Sequence, residues 1–146
     1  MKKHLLTLVA VSAFGLLGTL SSFGQTTASA EVQGKWTLKK NSDRWGEVTQ
    51  TLEFKDAGFT YRVQSKQGDT ILFAKGKVKL EKLGSFKVMK LTDIVGGYSE
   101  DNLEPTNDDR DIIYLTGWNS LTLALNFDRE RSDEKAEADT YSKAKN

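Results

Sequence analysis

Hydropathy alternates with a period of two along most of this chain, and no other feature constrains its fold as strongly. Leu52 and Phe54 alternate with Thr51, Glu53 and Lys55, and Phe59, Tyr61 and Val63 with Thr60, Arg62 and Gln64. Val78 and Leu80 alternate with Lys77, Lys79 and Glu81, and Leu121, Leu123, Leu125 and Phe127 with Thr122, Ala124, Asn126 and Asp128. Successive side chains of a strand point to opposite faces, so each series predicts a strand with one buried and one wet face. Turn-forming stretches separate the runs: Lys55-Asp56-Ala57-Gly58, Lys66-Gln67-Gly68-Asp69, Lys82-Leu83-Gly84-Ser85 and Gly117-Trp118-Asn119-Ser120. Short strands so spaced predict an all-β antiparallel sandwich or barrel.

Strands are expected over 33–40, 47–55, 58–66, 70–75, 76–82, 85–92, 110–116 and 120–129. Residues 70–82 also read as one strand bent at Gly76, because a glycine inside a strand often marks a bulge or barrel corner. Phe86 and Val88 set one parity while Met89 and Leu91 set the other, which a bulge near Lys90 reconciles. A helix over 75–91 competes with this reading, and Gly76 and Gly84 argue against it. Ile94 to Asp109 breaks the pattern with Gly96-Gly97, Pro105 and a mainly acidic series. Residues 132–146 are poor in apolar side chains and read as a polar tail or a short C-terminal helix. Their acids come early and their lysines late, the order a helix dipole favours.

The N-terminus has a different character. Lys2, Lys3 and His4 precede the uncharged run Leu5–Leu20, and Ala28-Ser29-Ala30 precedes the first acid, Glu31. A basic start, an apolar run and an A-x-A end describe a secretory signal peptide over 1–30, with export to a periplasm or the medium. The apolar run holds 16 residues, fewer than the roughly 20 of a permanent span. Cleavage after Ala30 leaves 116 of the 146 residues, and the loss of two lysines moves the net charge from +1 to −1. A near-neutral domain has no field to attract nucleic acid or an anionic membrane. No membrane insertion is expected after cleavage, and nothing points to a particular oligomeric state.

The single histidine, His4, leaves with that segment, and the chain has no cysteine. Ser-His-Asp and Cys-His nucleophiles, histidine acid–base catalysis and the usual zinc and copper sites therefore have no residues to build them. No catalytic residue, metal or cofactor is expected, and no disulfide can staple the fold.

Gly34-Lys35-Trp36 opens the first expected strand directly after the signal, and the last expected strand runs into Asp128-Arg129-Glu130-Arg131. This resembles the lipocalins, which carry a G-x-W motif at the start of the barrel and an arginine near the final strand that packs on the motif tryptophan. Leu91-Thr92-Asp93 is similar to the T-D of their middle motif, with Ile94 where a tyrosine is expected. Val32-Gln33-Gly34-Lys35-Trp36 also resembles the L-Q-G-x-W start of short exported bacterial lipocalin-like domains. The resemblance implies a single up-and-down β-barrel of about eight strands over 31–131. It also implies a structural barrel-end group of Gly34, Trp36 and Arg129, or Arg131 in its place. Eight strands of about nine residues and seven loops of about four need roughly 100 residues, which this domain supplies. A barrel of that size either fills with side chains or holds one small ligand.

The resemblance therefore implies a non-catalytic binding protein holding a small apolar molecule. The alternative is a filled barrel that acts as an interaction or inhibitor-like module. The ligand-lining candidates are Phe54, Phe59, Tyr61, Phe73 and Tyr114 on the inner parity, with Trp118 at a rim. Trp45 and Trp118 both sit in turn contexts, where a tryptophan either plugs a barrel end or makes an exposed contact. Glu100, Asp101, Glu104, Asp108, Asp109 and Asp111 are rich in oxygen, but the stretch lacks the glycine and distal glutamate of a calcium loop, so a solvated loop is expected. Lys75, Lys77, Lys79, Lys82, Lys87 and Lys90 read as a soluble outer wall.

Overall fold

The computed structural model describes residues 30–127 and 135–145. Nine strands follow in chain order: β1 Gly34–Ser42, β2 Gly46–Lys55, β3 Gly58–Ser65, β4 Thr70–Leu83, β5 Phe86–Ser99, β6 Asn102–Pro105, β7 Arg110–Gly117, β8 Ser120–Leu125 and β9 Glu137–Lys143. Every pairing is antiparallel. The ring β1-β2-β3-β4-β5-β7-β8-β9 closes on itself through β9–β1, giving an eight-stranded up-and-down barrel. The short β6 pairs with the far half of β5, in line with β7, so β6 and β7 act as one strand interrupted at residues 106–109.

The β2–β3, β4–β5 and β7–β8 hairpins turn through two-residue links in which Asp56, Gly84 and Asn119 take the left-handed conformation. Asp56 and Asn119 suit it because short polar side chains tolerate positive φ. The links fix the register, and the register fixes which parity faces inward. Trp36, Leu52, Phe54, Phe59, Val78, Met89, Leu91, Ile112, Tyr114, Leu121, Leu123 and Tyr141 form the buried interior, with Val32 beneath them.

β4 is one 14-residue strand with a register shift between Lys75 and Lys77, so residues 70–82 do run continuously past Gly76. The irregularity on β5 lies elsewhere than expected. From Phe86 to Thr92, β5 pairs with β4 without a shift, and Asp93 and Ile94 then stand opposite the single Gly76, one extra residue on β5, with Asp93 at φ +52°. No bulge forms at Lys90, because Phe86 and Val88 lie on the outer wall while Met89 and Leu91 face in. A Cβ on Gly76 would stand 2.6 Å from the carbonyl oxygen of Thr92 and 2.9 Å from the Phe59 ring. Backbone cannot yield there cheaply, so Gly76→Val is expected to destabilise the barrel by about 1–3 kcal/mol, as overpacking does. Thermal unfolding of the purified variant measures it.

The largest departure from expectation is at the C-terminus. Residues 137–143, expected as a polar tail or short helix, form β9, whose Asp139 and Tyr141 are buried. Its inward positions alternate with polar outward ones, but with two buried side chains the period was too short to register as a strand. The strand expected to reach residue 129 ends at Leu125, and the barrel wall continues to Lys143.

Candidate ligand-binding cavity

The strand directions define two ends. One is closed by residues 30–33, which fold beneath the barrel. Trp36 Nε1 donates to the carbonyl of Val32 at 2.8 Å, and Val32 is fully buried. Gln33 and Asp56 exchange hydrogen bonds of 3.0 and 3.1 Å, tying the N-terminal segment to the β2–β3 link. Glu31 accepts from Lys87 Nζ (2.6 Å), Tyr114 Oη (2.9 Å) and Thr116 Oγ1 (3.2 Å). Donors converging on a carboxylate favour its charged form. The bond from Lys87 does most to hold the Glu31 pKa below its ordinary value, with Tyr114 and Thr116 adding to it against the opposing effect of burial. Burial and Glu31 together push Tyr114 up to about 12.

The folded Glu31 pKa is depressed, so the stability this carboxylate contributes is present above its ordinary value of 4.5 and is lost as pH falls through the lower folded value. Glu31→Gln is therefore expected to lower the melting temperature at pH 7, and the gap from the parent should narrow as the pH is taken well below 4.5. Parallel melting curves across that range check it. A gap independent of pH would assign the effect to packing alone.

Toward the other end the interior is hollow. A cavity of about 550 Å³ is walled by Leu52, Phe59, Ala74, Met89, Leu91, Ile94, Ile112, Leu123 and Leu125. It falls within the roughly 300–1,000 Å³ typical of small-molecule sites. Polar side chains on the middle or open-end residues of their strands complete the lining: Lys40 from β1, Gln50 from β2, Tyr61 from β3, Arg110 at the start of β7, with Asp108 just before it, and Asp139 and Tyr141 from β9. A smaller depression of about 280 Å³ beside Trp45 shares Lys40 and Gln50 with this cavity, which places Trp45 at the mouth.

The polar lining is internally bonded. Tyr141 Oη donates to Gln50 Oε1 at 2.6 Å, and Tyr61 lines the same cavity. Burial pushes Tyr61 up to about 12 and Tyr141 above the ordinary phenol range, with Asp139 adding to both. Lys40 Nζ reaches Glu137 at 3.0 Å and Asp139 at 3.1 Å. Burial works against its ammonium, but those carboxylates more than offset it and hold the pKa above the ordinary lysine value. Arg110 donates Nε and Nη2 to Asp108 Oδ2 at 3.0 and 2.6 Å.

Of the side chains singled out in the sequence, Phe59 and Tyr61 line this cavity. Phe54 and Tyr114 are interior but sit in the filled closed-end core, Tyr114 tied to Glu31. Phe73 corrects the sequence reading: Leu72 and Ala74 line the cavity, and Phe73 takes the opposite parity, buried there under Arg62, which covers its ring at 5.3 Å and pairs with Glu100. The run Ile71-Leu72-Phe73-Ala74 is apolar on both parities, so hydropathy alone did not show which face lined the cavity. Trp118 is a second correction: it is 94% exposed on the β7–β8 link, at the end opposite Trp45. The two tryptophans do not share a rim.

Trp36 sits at the closed end with Gly34 leading into it. Arg129 and Arg131, the expected partners of its ring, lie outside the described residues. Lys143 of β9 occupies a cation–π position over Trp36, its Nζ 5.1 Å from the ring centroid. Lys40, Gln50, Asp139 and Tyr141 were not singled out in the sequence; two of them lie on the strand that went unread.

Among the acidic residues, Glu100 pairs with Arg62 and Asp108 with Arg110. Among the described residues no group of three or more His, Cys, Asp or Glu is placed to hold a metal ion. Of the basic series, Lys77 pairs with Asp93, Lys79 and Lys90 with Glu81, and Lys87 with Glu31. No family model, no curated protein and no solved structure matches this chain.

Proposed function

We propose that this chain is an exported, lipocalin-like, non-catalytic binding protein that holds a small apolar molecule in its barrel. The observation that carries the reading is the 550 Å³ cavity, closed at one end, with an apolar wall drawn from β2, β3, β4, β5, β7 and β8. Empty apolar volume of this size forfeits the dispersion contacts that a filled core makes, and an apolar occupant restores them. The G-x-W start at Gly34–Trp36, the plug at the closed end and the leader-like first thirty residues support the kinship and the export. No step of the proposal needs a nucleophile or a general base.

The neutral fluorophore N-phenyl-1-naphthylamine tests it. Saturable fluorescence enhancement is expected with the parent protein. Ala74→Phe puts a ring into the cavity and should weaken that binding at least about tenfold, while the melting temperature holds or rises because empty volume is filled. An equal response from parent and variant would place the dye elsewhere and remove the support.

One observation favours an interaction role in addition. Leu83 and Phe86, paired across the β4–β5 hairpin, and Leu115 and Trp118 near the β7–β8 link are all exposed large apolar side chains toward the closed end. Continuing the β5–β7 register two residues beyond Val88–Ile113 sets Phe86 opposite Leu115. Grouped exposed apolar side chains mark contact surfaces more often than scattered ones do.

A further inference from the structure

The polar groups of the cavity are not spread evenly. They stand toward the open end and middle of their strands, while Phe59, Met89 and Ile112 make the deeper wall apolar. A purely apolar ligand would leave that polar zone facing hydrocarbon, which is costly for groups able to hydrogen-bond. An amphipathic ligand entering tail first would satisfy both zones.

The charges decide which head is favoured. The cavity holds two cations, Lys40 and Arg110, and each already has a carboxylate partner within hydrogen-bonding distance, Asp139 and Asp108 respectively. Glu137, at the rim, adds a further negative charge beside Lys40. An anionic head would either sit against the carboxylate that already neutralises its cation or take the cation from it, and Asp139, left uncompensated in the second case, is only 9% exposed. Stranding a charge in that way is strongly unfavourable.

Lys40 has a second engagement. β1 and β9 pair backbone to backbone at Trp36–Lys143 and Thr37–Ser142, near the closed end, where the Ala144 N–H also donates to the Lys35 carbonyl. Farther toward the mouth, the side-chain bridge from Lys40 to Glu137 and Asp139 joins the two strands. Releasing this ammonium to an incoming anion would loosen the barrel seam. A cationic head would have to take Asp139, Glu137 or Asp108 from the Lys40 and Arg110 charges that already hold them, with like charge beside it, whereas an uncharged head requires no such exchange. A hydroxyl or carbonyl can accept from the Arg110 guanidinium or a tyrosine hydroxyl, and a hydroxyl can donate to a carboxylate oxygen of Asp139 or Asp108, with the ion pairs intact.

We infer that the cavity selects an amphipathic molecule with a single apolar tail and an uncharged hydroxyl- or carbonyl-bearing head, held among Lys40, Tyr61, Arg110 and Asp139 near the mouth. This rests on the binding role proposed above and names the ligand class for that same cavity.

Displacement of N-phenyl-1-naphthylamine by dodecanol, dodecanoate and dodecylammonium at pH 7 tests it, since the three share one tail and differ in the head. Dodecanol is expected to displace the dye at concentrations at least about tenfold below those of dodecanoate. Asp108→Asn removes the carboxylate from Arg110 without touching the β1–β9 bridge. It should improve dodecanoate displacement several-fold and leave dodecanol within about twofold, a change in selectivity that mere loss of stability would not produce. If the dye binds but dodecanoate or dodecylammonium competes as well as dodecanol, the head-group inference is overturned and the binding role stands. If Asp108→Asn shifts all three competitors alike, the inference is likewise overturned. If the dye itself does not bind, the binding role fails with it.

Discussion

Trp36→Ala is expected to lower the unfolding free energy by about 3–5 kcal/mol, the range for deleting a fully enclosed large aromatic side chain. The indole is 2% exposed, and it takes part in the closure of the barrel in three ways. Its ring fills the closed end together with Val32, its Nε1 donates to the Val32 carbonyl at 2.8 Å, and its face receives Lys143 from the closing strand. Truncation leaves a void and an unpaired buried carbonyl, and it unseats the plug. Urea denaturation monitored by far-ultraviolet circular dichroism measures the loss. Trp36→Phe should recover most of the packing but not the hydrogen bond, and fall between the two. The parallel change Trp118→Ala serves as the contrast: with its side chain 94% exposed it should alter stability by less than about 0.5 kcal/mol. Equal effects at Trp36 and Trp118 would contradict the assignment of the closed end.

Ending the chain at residue 135 is expected to abolish cooperative folding. Strand β9 pairs with β8 over six positions and with β1 over two, and it buries Tyr141. Its removal strips the hydrogen-bonding partners from the edges of β1 and β8, and turns a closed barrel into an open sheet with two free edges. Asp139 leaves with it, so Lys40 loses one of its two carboxylate partners inside the seam, and Glu137 removes the other. The truncated chain should show no sharp thermal transition and should aggregate as it is concentrated. Tyr141→Phe keeps the strand and deletes the hydroxyl that donates to Gln50, and should cost about 1 kcal/mol. A sharp, parent-like transition in the truncated protein would show that β9 is dispensable and that the barrel is complete without it.

The fold class was legible because the register of a one-sided strand is written in its hydropathy. Leu52-Glu53-Phe54 and Leu121-Thr122-Leu123 each expose one face and bury the other, and the structure places both series as their alternation requires. Legibility ended where a strand is apolar on both parities or polar on nearly all positions. Residues 71–74 are the first case and misplaced Phe73; residues 137–143 are the second and hid β9. The parity conflict on β5 did not signal its irregularity: Phe86 and Val88 lie on the outer wall, and the register shift falls at Asp93 and Ile94. Asp93 in the left-handed conformation carries it, opposite the glycine that admits the carbonyl of Thr92.

The candidate site was half legible. Phe59 and Tyr61 follow from parity alone, whereas Lys40, Gln50, Arg110 and Asp139 are polar residues at inward positions, which hydropathy assigns to the solvent face. Their inward placement follows from register: Lys40 shares the parity of Trp36 and Leu38, and Gln50 that of Leu52 and Phe54. Polar residues at apolar parity, in neighbouring paired strands, are the signal a reader of such sequences can use.

Native mass spectrometry of the freshly purified protein tests the central claim most directly, because it asks whether the barrel interior is occupied. The parent, alone or after incubation with N-phenyl-1-naphthylamine, should carry one small non-covalent adduct per chain, and Ala74→Phe should carry little or none. A parent that stays bare even with the dye present, or a variant that carries the same adduct, would contradict a hollow, ligand-holding barrel.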